Sequence, residues 1–386
     1  MKIAIKMSFI ALMALGISAC NANNKKENDR YVINTATKDA HKPKKHSIKV
    51  ALLLDTSNSM DGLIDQAKAQ LWQIVNELSY AKCDDDKPNL QIAVYEYGND
   101  NLNGSEGYIR QVINFSDDLD EISKQLFSLT TKGGNEYCGH VINTAIDQLD
   151  WKGNKTDLRL IFIAGNEPFT QGKVNYKEAT KKAHNNDITV NTIFCGDYNQ
   201  GISSYWKDGA DNAHGDYMAI NHNRETYYVS SPYDDEILEF NKKLNNTYVA
   251  YGNIGASKMQ LQADQDSNAK EYSNANAVSR TVSKSSHLYK NKSWDLVDAS
   301  DDENFKLEEI ELSELPSELK GKNKTEIEKH IKQKKKERET IQQKIQELNA
   351  KRKVFISKQK SNNNGLESAM IKAIKKQAKN KNYKWE

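Results

Sequence analysis

The chain has 386 residues, of which 37% are hydrophobic and 28% are charged. Because globular proteins usually contain ~45–50% apolar residues, one well-packed part and one polar part are expected. The five prolines exclude a collagen-like or Pro-rich protein, and no apolar run reaches the ~18 residues of a membrane-spanning helix. The formal net charge of +2 hides an asymmetry, because residues 321–386 contain 20 Lys and Arg against seven Asp and Glu, whereas residues 21–320 contain 33 against 46. An acidic body joined to a basic tail is therefore expected.

Residues 1–19 have the layout of a secretory signal peptide. Lys2 and Lys6 precede an apolar run at 7–19 that is too short to span a bilayer. The run ends in small residues directly before Cys20, which resembles the lipobox of bacterial lipoproteins. The resemblance implies that Cys20 is lipidated and becomes the first mature residue, held on a membrane by two or three acyl chains. The alternative is an ordinary signal peptide that happens to contain a cysteine.

Residues 20–46 are rich in Asn, Lys and Asp and poor in apolar side chains, which predicts a flexible tether. Beyond them, nearly continuous apolar runs at 48–54 and 158–164 are typical of strands that are buried on both faces. The predicted strands, in chain order, are 48–54, 90–97, 108–115, 158–164, 188–195 and 216–220. The predicted helices are 63–78, 117–129 with Ser116 as N-cap, a segment that ends near 149, 176–186 and 235–244.

The alternation of strands with helices of ~10–15 residues predicts crossover connections. Residues 47–248 are therefore predicted to form an α/β domain with a doubly wound, mainly parallel sheet and helices on both faces. In such folds the binding site lies on loops beyond the carboxyl ends of the strands.

A short polar motif, Asp-Thr-Ser-Asn-Ser at 55–59, directly follows the first predicted strand and precedes a predicted helix. Its carboxylate and two hydroxyls are hard oxygen ligands on one tight loop, which suits Mg²⁺. The motif, its strand–loop–helix setting and the later order of elements resemble the von Willebrand factor A (vWA) domain with its metal-ion-dependent adhesion site, over roughly residues 45–248. The resemblance implies a Rossmann-like fold, a site for Mg²⁺ (or Mn²⁺ or Ca²⁺), and a protein partner that offers a carboxylate to the ion.

The family builds this metal site from three loops, and residues 55–59 match the first. The second loop usually offers a Thr after a glycine pair, and here Asn135 follows the pair, with Glu136 beside it. The third loop usually offers an Asp after the fourth strand, where this chain has Gly165. The predicted metal ligands are Asp55, Ser57, Ser59, Asn135 and Glu167, with Asn166, a water and Asp197 as further candidates. The departure at Gly165 leaves open a loop that keeps its shape with poor metal affinity.

Three cysteines follow Cys20, and a chain outside the cytoplasm permits disulfides. In the predicted fold Cys138 opens a helix and Cys195 ends a strand at the same edge of the sheet, so a Cys138–Cys195 disulfide is predicted and Cys83 is free or paired instead. The alternative is a nucleophilic Cys138 with His140 nearby, which needs a base aimed at a free thiol and an oxyanion hole. Only spacing supports that alternative, so no enzymatic activity is predicted.

The C-terminal third divides into a polar extension at 249–320 and a basic, helical, partly coiled-coil tail at 321–386. Thr325 and Glu328 have capping-box spacing at the start of a long charged helix. Its apolar residues at heptad spacing are Ile327, Ile331, Ile341, Ile345, Leu348 and Phe355, and Lys334, Arg338 and Arg352 interrupt the seam. Two arrangements fit, a helix packed on its own domain or in a helical hairpin, and a self-associating coiled coil. A second basic amphipathic helix at 366–379 can face an anionic surface.

The leading functional hypothesis is a membrane-anchored, extracytoplasmic protein-interaction or adhesion module that uses a divalent metal at the Asp55 loop. The alternative is a structural scaffold of the cell envelope with a degenerate metal site, which binds an anionic envelope polymer or lipid through the basic tail. Export argues against a nucleic acid partner. The whole layout resembles the Lys- and Asn-rich vWA-domain lipoproteins of diderm bacteria, which implies a lipid anchor in the cell envelope, on the outer membrane facing the periplasm or the cell surface.

Overall fold

Six strands form one mixed sheet in a computed structural model of the chain, which describes residues 46–224, 229–359 and 365–385. The predicted signal peptide, nearly all of the predicted tether and the lipidation site Cys20 lie outside these residues. The strands are β1 (Ser47–Asp55), β2 (Ala81–Cys83), β3 (Asn89–Tyr97), β4 (Ile109–Ser116), β5 (Leu158–Gly165), β6 (Thr189–Cys195), β7 (Tyr217–Ile220) and β8 (Tyr383–Trp385). The helices are α1 (Asp61–Leu78), α2 (Leu119–Phe127), α3 (Cys138–Gln148), α4 (Tyr176–Asn185), α5 (Tyr198–Ser203), α6 (Trp206–Asn212), α7 (Asp234–Asn245), α8 (Gly255–Tyr272), α9 (Asn274–Lys284), α10 (Leu296–Ala299), α11 (Lys324–Ser357) and α12 (Leu366–Ala378).

The large sheet has the strand order β4-β3-β1-β5-β6-β7, and β4 is the strand that runs antiparallel to its neighbour. β1 lies at the centre, between β3 and β5, and every residue of it after Ser47 is buried. This position explains its apolar sequence, because helices cover both faces of the sheet. The predicted α/β fold with a mainly parallel sheet is confirmed. The carboxyl ends of β1, β3, β5 and β6 therefore meet at one edge of the sheet.

Side chains alternate along β1 between two hydrophobic cores, one on each face of the sheet. Leu52 and Leu54 point into a core shared with α1, α2, α7, α9 and α12. Ala51 and Leu53 point into a core shared with α3, α4 and α6. The two helical layers hold the strand from both sides and fix the position of Asp55, its last residue.

Two helix starts differ from the sequence-based expectation in the choice of cap. Helix α2 begins after Asp118, whose side chain accepts a hydrogen bond from the Glu121 amide, so Asp118 replaces Ser116 as the N-cap. Helix α11 begins after Asn323, which forms a complete capping box with Glu326. The pair Asn323 and Glu326 has the same spacing as the predicted pair two residues later, and Asn is a stronger N-cap than Thr.

Residues of the polar extension form helices α8 and α9, and α9 packs against α1. Every residue from Ala275 to Lys284 is buried, although six of these ten residues are polar or charged. The charges have partners, since the Arg280 guanidinium donates to Asp120 at 2.7 Å and to Asp266 at 2.6 Å. The ammonium of Lys284 contacts Asp266 at 3.0 Å. A buried ion-pair network thus joins the extension to the first half of the chain.

The long helix α11 packs against α7, α9 and α10 of its own chain, which is the first of the two arrangements that its heptad pattern allowed. The apolar seam residues that are buried in this contact are Ile327, Ile331, Ile345 and Leu348. Each basic interruption has a polar partner: Arg338 contacts Asp295 and Asp298, Arg352 contacts Asp234, and Lys334 contacts the carbonyl of Asn246. Each basic residue that interrupts the apolar seam therefore forms a polar contact between α11 and another part of the chain.

The end of the chain returns to the edge of the sheet where β1 begins. Strand β8 pairs antiparallel with β2, with Tyr383 opposite Cys83. The hydroxyl of Tyr383 donates to the Ser47 carbonyl at 3.2 Å. Within the described parts of the chain, no helix combines the length and apolar character needed to cross a membrane.

Candidate metal site

The loop after β1 holds the three residues of the sequence motif in one turn. Asp55 ends the strand and is fully buried, and its Oδ1 accepts a hydrogen bond from the Ser57 amide at 2.7 Å. The hydroxyl oxygens of Ser57 and Ser59 lie 3.2 Å apart. A 3₁₀ turn at Asn58–Met60 then leads into α1. Ser59 and Asn58 are exposed and Ser57 is buried, so the loop is open to solvent on the side of Ser59.

Two glycines leave room for the Asp55 carboxylate. A Cβ atom on Gly98 would lie 2.8 Å from Asp55 Oδ1, and one on Gly165 would lie 3.1 Å from Asp55 Oδ2. Gly98 also has φ +79°, a left-handed conformation that favours glycine. The Cβ on Gly165 would additionally lie 2.6 Å from the Tyr97 hydroxyl, which donates to the Ala164 carbonyl at 3.0 Å. The Tyr97 hydroxyl therefore occupies the space that a side chain at position 165 would need.

The second loop brings Glu136 to Asp55. Glu136 is buried, and its Cγ would lie 2.7 Å from a Cβ on Gly98, on the same side as Asp55 Oδ1. Asn135, the predicted ligand from this loop, is exposed. From the sequence alone, Glu136 is only the neighbour of the predicted ligand Asn135. Its position in the chain, just before the buried helix start at Cys138, was the signal that could have favoured it.

The pKa values of the Asp55 and Glu136 carboxyls are both raised. Burial is the largest cause for each group. Glu136 raises the pKa of Asp55 further through its charge and by direct contact, while hydrogen bonds from Ser57 oppose the shift. The charge of Glu167 raises the pKa of Glu136, and the contacts of Glu136 with Asp55 and Ser57 oppose that shift. Two acidic groups thus share a site that disfavours a second negative charge.

One oxygen on each carboxyl lacks a hydrogen-bond donor. Asp55 Oδ2 and Glu136 Oε2 are buried and have no hydrogen-bond partner among the residues that the structure describes. The two side chains are in contact, and either oxygen can donate only when its carboxyl is protonated. Buried polar atoms are rarely left in this state in native proteins, so these two require an explanation.

The third loop contacts the first through Asn166. The Asn166 side-chain amide donates to Ser59 Oγ at 3.2 Å. Glu167, the predicted ligand, is half-buried, and its carboxylate accepts a hydrogen bond from the Gln171 side chain at 3.1 Å. Gln171 also accepts from the Glu136 amide at 3.3 Å, and so it connects the second and third loops. Of the predicted ligands, the structure brings Asp55, Ser57 and Ser59 together, places the further candidate Asn166 beside Ser59, and adds Glu136.

This donor set fits a hard divalent cation. It offers two carboxylates, two hydroxyls and a side-chain amide, all of them oxygen donors of the kind that Mg²⁺, Mn²⁺ and Ca²⁺ prefer. The two orphan oxygens are what a cation would satisfy, and its charge would remove the penalty on ionising both carboxyls. The residues that would hold the ion are Asp55, Ser57, Ser59 and Glu136.

The predicted Cys138–Cys195 disulfide is not formed in the structure, where both residues and Cys83 are buried free thiols. The reason is the side of the sheet on which each lies. Cys138 packs in the core with α3 and α4, whereas Cys195 packs in the core with α1 on the opposite face. Burial, the largest cause, also raises the pKa of the Cys138 thiol well above its usual value, which disfavours the thiolate that a nucleophile needs.

Comparison with known proteins agrees with the fold. The model of the von Willebrand factor type A (VWA) domain matches residues 49–239, about half of the chain, and so a vWA domain is present there. Domains of this class generally mediate protein interactions. A search of curated proteins finds no match.

Solved structures give weak likenesses. The conserved hypothetical protein BatB from Bacteroides thetaiotaomicron is 17% identical, with a TM-score of 0.35, over 45% of this chain and 90% of BatB. The proximal thread matrix protein 1 of the mussel byssus, with a zinc-occupied MIDAS motif, is 11% identical, with a TM-score of 0.33, over 46% of this chain and 42% of its own. The pilus adhesin SpaC from Lactobacillus rhamnosus GG is 10% identical, with a TM-score of 0.35, over 47% of this chain and 29% of its own.

Proposed function

We propose that this chain is a lipid-anchored interaction module of the cell envelope, which binds a divalent cation at the Asp55 loop and engages a carboxylate of a protein partner there. The observation that carries the metal site is the pair of orphan oxygens, Asp55 Oδ2 and Glu136 Oε2. Neither carboxylate oxygen can donate to the other, so each needs a donor or a cation, and a cation also offsets the two negative charges. A cation satisfies both oxygens at neutral pH without protonation of the carboxyls.

The open side of the site suits a macromolecular partner. Ser59 and Asn58 are exposed at the rim, where a carboxylate from a partner can reach the ion. An apolar patch follows β6, at the same edge of the sheet, and consists of the exposed residues Tyr198 and Ile202 of α5 and Tyr205 just after it. Aromatic residues at the centre of a contact with charged groups around it are typical of protein interfaces. The partner is therefore proposed to be a protein that places an acidic side chain beside apolar ones.

The metal site is tested by the thermal midpoint of the full chain carrying Cys20→Ser, titrated with Mg²⁺, Mn²⁺ and Ca²⁺ against a chelator. A ligand of the native state stabilises it by linkage, by about 2.7 kcal/mol at a concentration 100 times the dissociation constant. Asp55→Asn is expected to abolish the response, because it removes a ligand charge and keeps the shape. A response equal in Asp55→Asn and in the parent would show that the ion binds elsewhere.

The lipid anchor and the envelope location rest on the sequence of residues 1–20. Cys20→Ser is expected to move the protein from the membrane fraction to the soluble fraction, and the intact mass of the parent is expected to exceed that of the processed chain by the acyl groups. Cys138→Ser, which removes a buried thiol, serves as the control and should leave fractionation unchanged. Equal fractionation of Cys20→Ser and the parent would reject the anchor.

The scaffold alternative, in which the basic tail binds an anionic polymer or lipid, has less support. Several basic residues of the tail already have acidic partners in this chain: Lys353 and Lys375 contact Glu77, Lys376 contacts Asp216, and Lys381 contacts Asp187. Ion pairs within the chain reduce the charge that the tail offers to an external polyanion. The basic charge of residues 321–386 is thus partly neutralised by acidic residues from earlier in the chain.

A further inference from the structure

A second group of possible metal ligands lies at the end of the sheet away from the Asp55 loop. His46 directly precedes β1, Cys83 ends β2, and Asp84 begins the turn that follows. One ligand atom from each of the three lies within 4.8 Å of the others. Because β1 has nine residues and rises ~3.3 Å per residue, this group is roughly 30 Å from Asp55. The two sites are therefore independent.

The separations suit a small cation. His46 Nε2 lies 3.8 Å from Asp84 Oδ2. Ligand atoms at ~2.0–2.3 Å from a tetrahedral Zn²⁺ are roughly 3.3–3.8 Å apart. Small side-chain movements therefore suffice to close the three atoms around one ion.

The His46 ring is already held in a suitable orientation. Its Nδ1 lies 2.8 Å from the Thr156 hydroxyl oxygen. When His46 Nδ1 is protonated and donates a hydrogen bond to the Thr156 hydroxyl oxygen, Nε2 is unprotonated and its lone pair faces the other two ligand atoms. Metal-bound histidines generally have such a partner on the second nitrogen, which fixes the tautomer and the direction of the ring.

The turn that presents Asp84 has an unusual backbone. Cys83 and Asp86 exchange both backbone hydrogen bonds, at 2.8 and 2.9 Å, around a two-residue turn. Its central residues, Asp84 and Asp85, have φ of +47° and +69°, where Asn-Gly is the usual choice. Left-handed conformations of this kind at non-glycine residues often accompany functional sites. Here the conformation places a carboxylate next to Cys83 and His46.

The surroundings of Cys83 are acidic. Burial first, and then the charges of Asp84, Asp157 and Asp86, raise the pKa of the Cys83 thiol to about 11. Asp157 is not free to bind an ion, because it accepts hydrogen bonds from the amides of Ser47 at 2.9 Å and Asn154 at 2.7 Å. The thiol donates to the Lys381 carbonyl at 3.5 Å. A divalent cation would offset the acidic charges and displace the thiol proton.

We propose that His46, Cys83 and Asp84 form a Zn²⁺ site with three protein ligands and one position open to water. Nitrogen and thiolate donors favour Zn²⁺ over Mg²⁺ or Ca²⁺, and three-ligand zinc sites keep a fourth position for water. The sequence contains no Cys-x-x-Cys pair that would predict zinc, because these ligands come from two separate segments. The ion would fasten the residue that precedes β1 to the hairpin of β2, whose partner strand β8 ends the described chain.

Cobalt provides the test, since thiolate-bound Co²⁺ absorbs light where oxygen-bound Co²⁺ does not. The untagged full chain carrying Cys20→Ser is titrated with Co²⁺ and then with Zn²⁺. One equivalent of Co²⁺ is expected to give a thiolate-to-cobalt charge-transfer band and tetrahedral visible bands, and Zn²⁺ is expected to displace it. His46→Ala and Cys83→Ser should each weaken Zn²⁺ binding at least ~100-fold, and Thr156→Val should weaken it ~10–100-fold through the ring orientation.

Two variants keep the test decisive. The Asp84 side chain is 56% exposed, so Asp84→Asn leaves the fold intact while it removes a ligand charge, and it should also weaken Zn²⁺ binding. Asp55→Asn should leave the thiolate-to-cobalt band unchanged, because the proposed vWA metal site has only oxygen ligands and lies elsewhere. A spectrum without the thiolate band, or a band that persists in Cys83→Ser, would overturn the proposal even if the Asp55 site binds its own ion.

Discussion

The guanidinium of Arg338 donates to the carboxylate of Asp295, with 2.7 Å between Nη1 and Oδ2, and both side chains are almost completely buried. Arg338 Nη1 also donates to Asp298 Oδ1 at 2.5 Å. The pair joins the long helix α11 to the segment at α10, 43 residues earlier in the chain. It is a buried polar link between the tail helix and an earlier segment of the chain, so its loss has a predictable cost.

Replacing Arg338 with Met is expected to destabilise the protein by ~3–5 kcal/mol, because Asp295 would be left as a buried charge without its partner. Chemical denaturation measures the change. Lys336→Met is the matched control, since Lys336 is exposed on the same helix and its replacement should change the free energy of unfolding by less than ~0.5 kcal/mol. Equal effects of the two variants would show that the ion pair does not hold the helix.

The pKa of Glu367, at the start of α12, is raised to about 7 by burial and then by the charge of Glu77. Because the folded state holds this proton more tightly than the unfolded state, the stabilising contribution is complete below about pH 4.5 and is lost as the pH rises through 7. Between pH 5 and pH 8, the free energy of unfolding is therefore expected to fall by ~1–2 kcal/mol more in the parent than in Glu367→Gln. Denaturation at pH 5 and pH 8 checks this, and Glu367→Gln should be the more stable of the two proteins at pH 8.

Glu136→Gln separates the ligand that the structure places at Asp55 from the one that the sequence analysis predicted. Without metal, the variant is expected to raise the thermal midpoint, because it removes one of two buried acidic groups in contact. With Mg²⁺ or Mn²⁺ it should lose most of the metal-induced rise. Asn135→Ala, at the exposed neighbouring position, should retain that rise. Loss of the response in Asn135→Ala alone would instead favour the family's usual second-loop position.

Gly165→Ala tests why this position lacks the family's Asp. A Cβ there would lie 2.6 Å from the Tyr97 hydroxyl, so a loss of ~1–3 kcal/mol in the free energy of unfolding is expected from overpacking. Tyr97→Phe removes the clashing oxygen, so Gly165→Ala should cost less in that background. A double-mutant cycle gives the coupling between the two sites. Additive effects would mean that Tyr97 does not exclude a side chain at 165.

The number of thiols that react with a labelling reagent tests whether any of the three cysteines form a disulfide. In the Cys20→Ser chain, Cys83, Cys138 and Cys195 are at most 3% exposed, so an aromatic disulfide reagent should label none of them quickly in the folded protein. All three should react after denaturation without reductant. Only one reactive thiol in the denatured chain would show that two of the three cysteines form a disulfide, and peptide mapping would show whether the pair is Cys138 and Cys195.

The sequence predicted the sheet and the first loop well, because both depend on local patterns. The buried strand before Asp55 is an uninterrupted apolar run, and residues 55–59 follow it directly. The disulfide prediction was wrong for this structure, because the sequence places Cys138 and Cys195 at one edge of the sheet but does not show which face α3 covers. The position of Glu136 depends on the path of an irregular loop, which no periodic pattern reveals.

The same limit applied to the tail. A heptad seam with basic interruptions fits either a partner helix or the protein's own surface, because both bury one stripe of a helix. Arg338 and Arg352 decide between them only when Asp295 and Asp234 are known to lie opposite. These acidic residues are 43 and 118 positions away, so the pairing is a tertiary property.

The central position of β1 has a mechanical consequence. A partner that pulls on the loop at Asp55, against a tether that enters at His46, would load this strand along its length. The strand is hydrogen-bonded in parallel to β3 on one side and β5 on the other, from Ser47 to Asp55 and from Ile48 to Leu54. Because both loaded points lie at the ends of β1 itself, tension between them would pass along the covalent backbone of this strand, and neither ladder would be pulled apart. Under the proposed function, a load between the partner and the anchor would therefore bypass the rest of the domain.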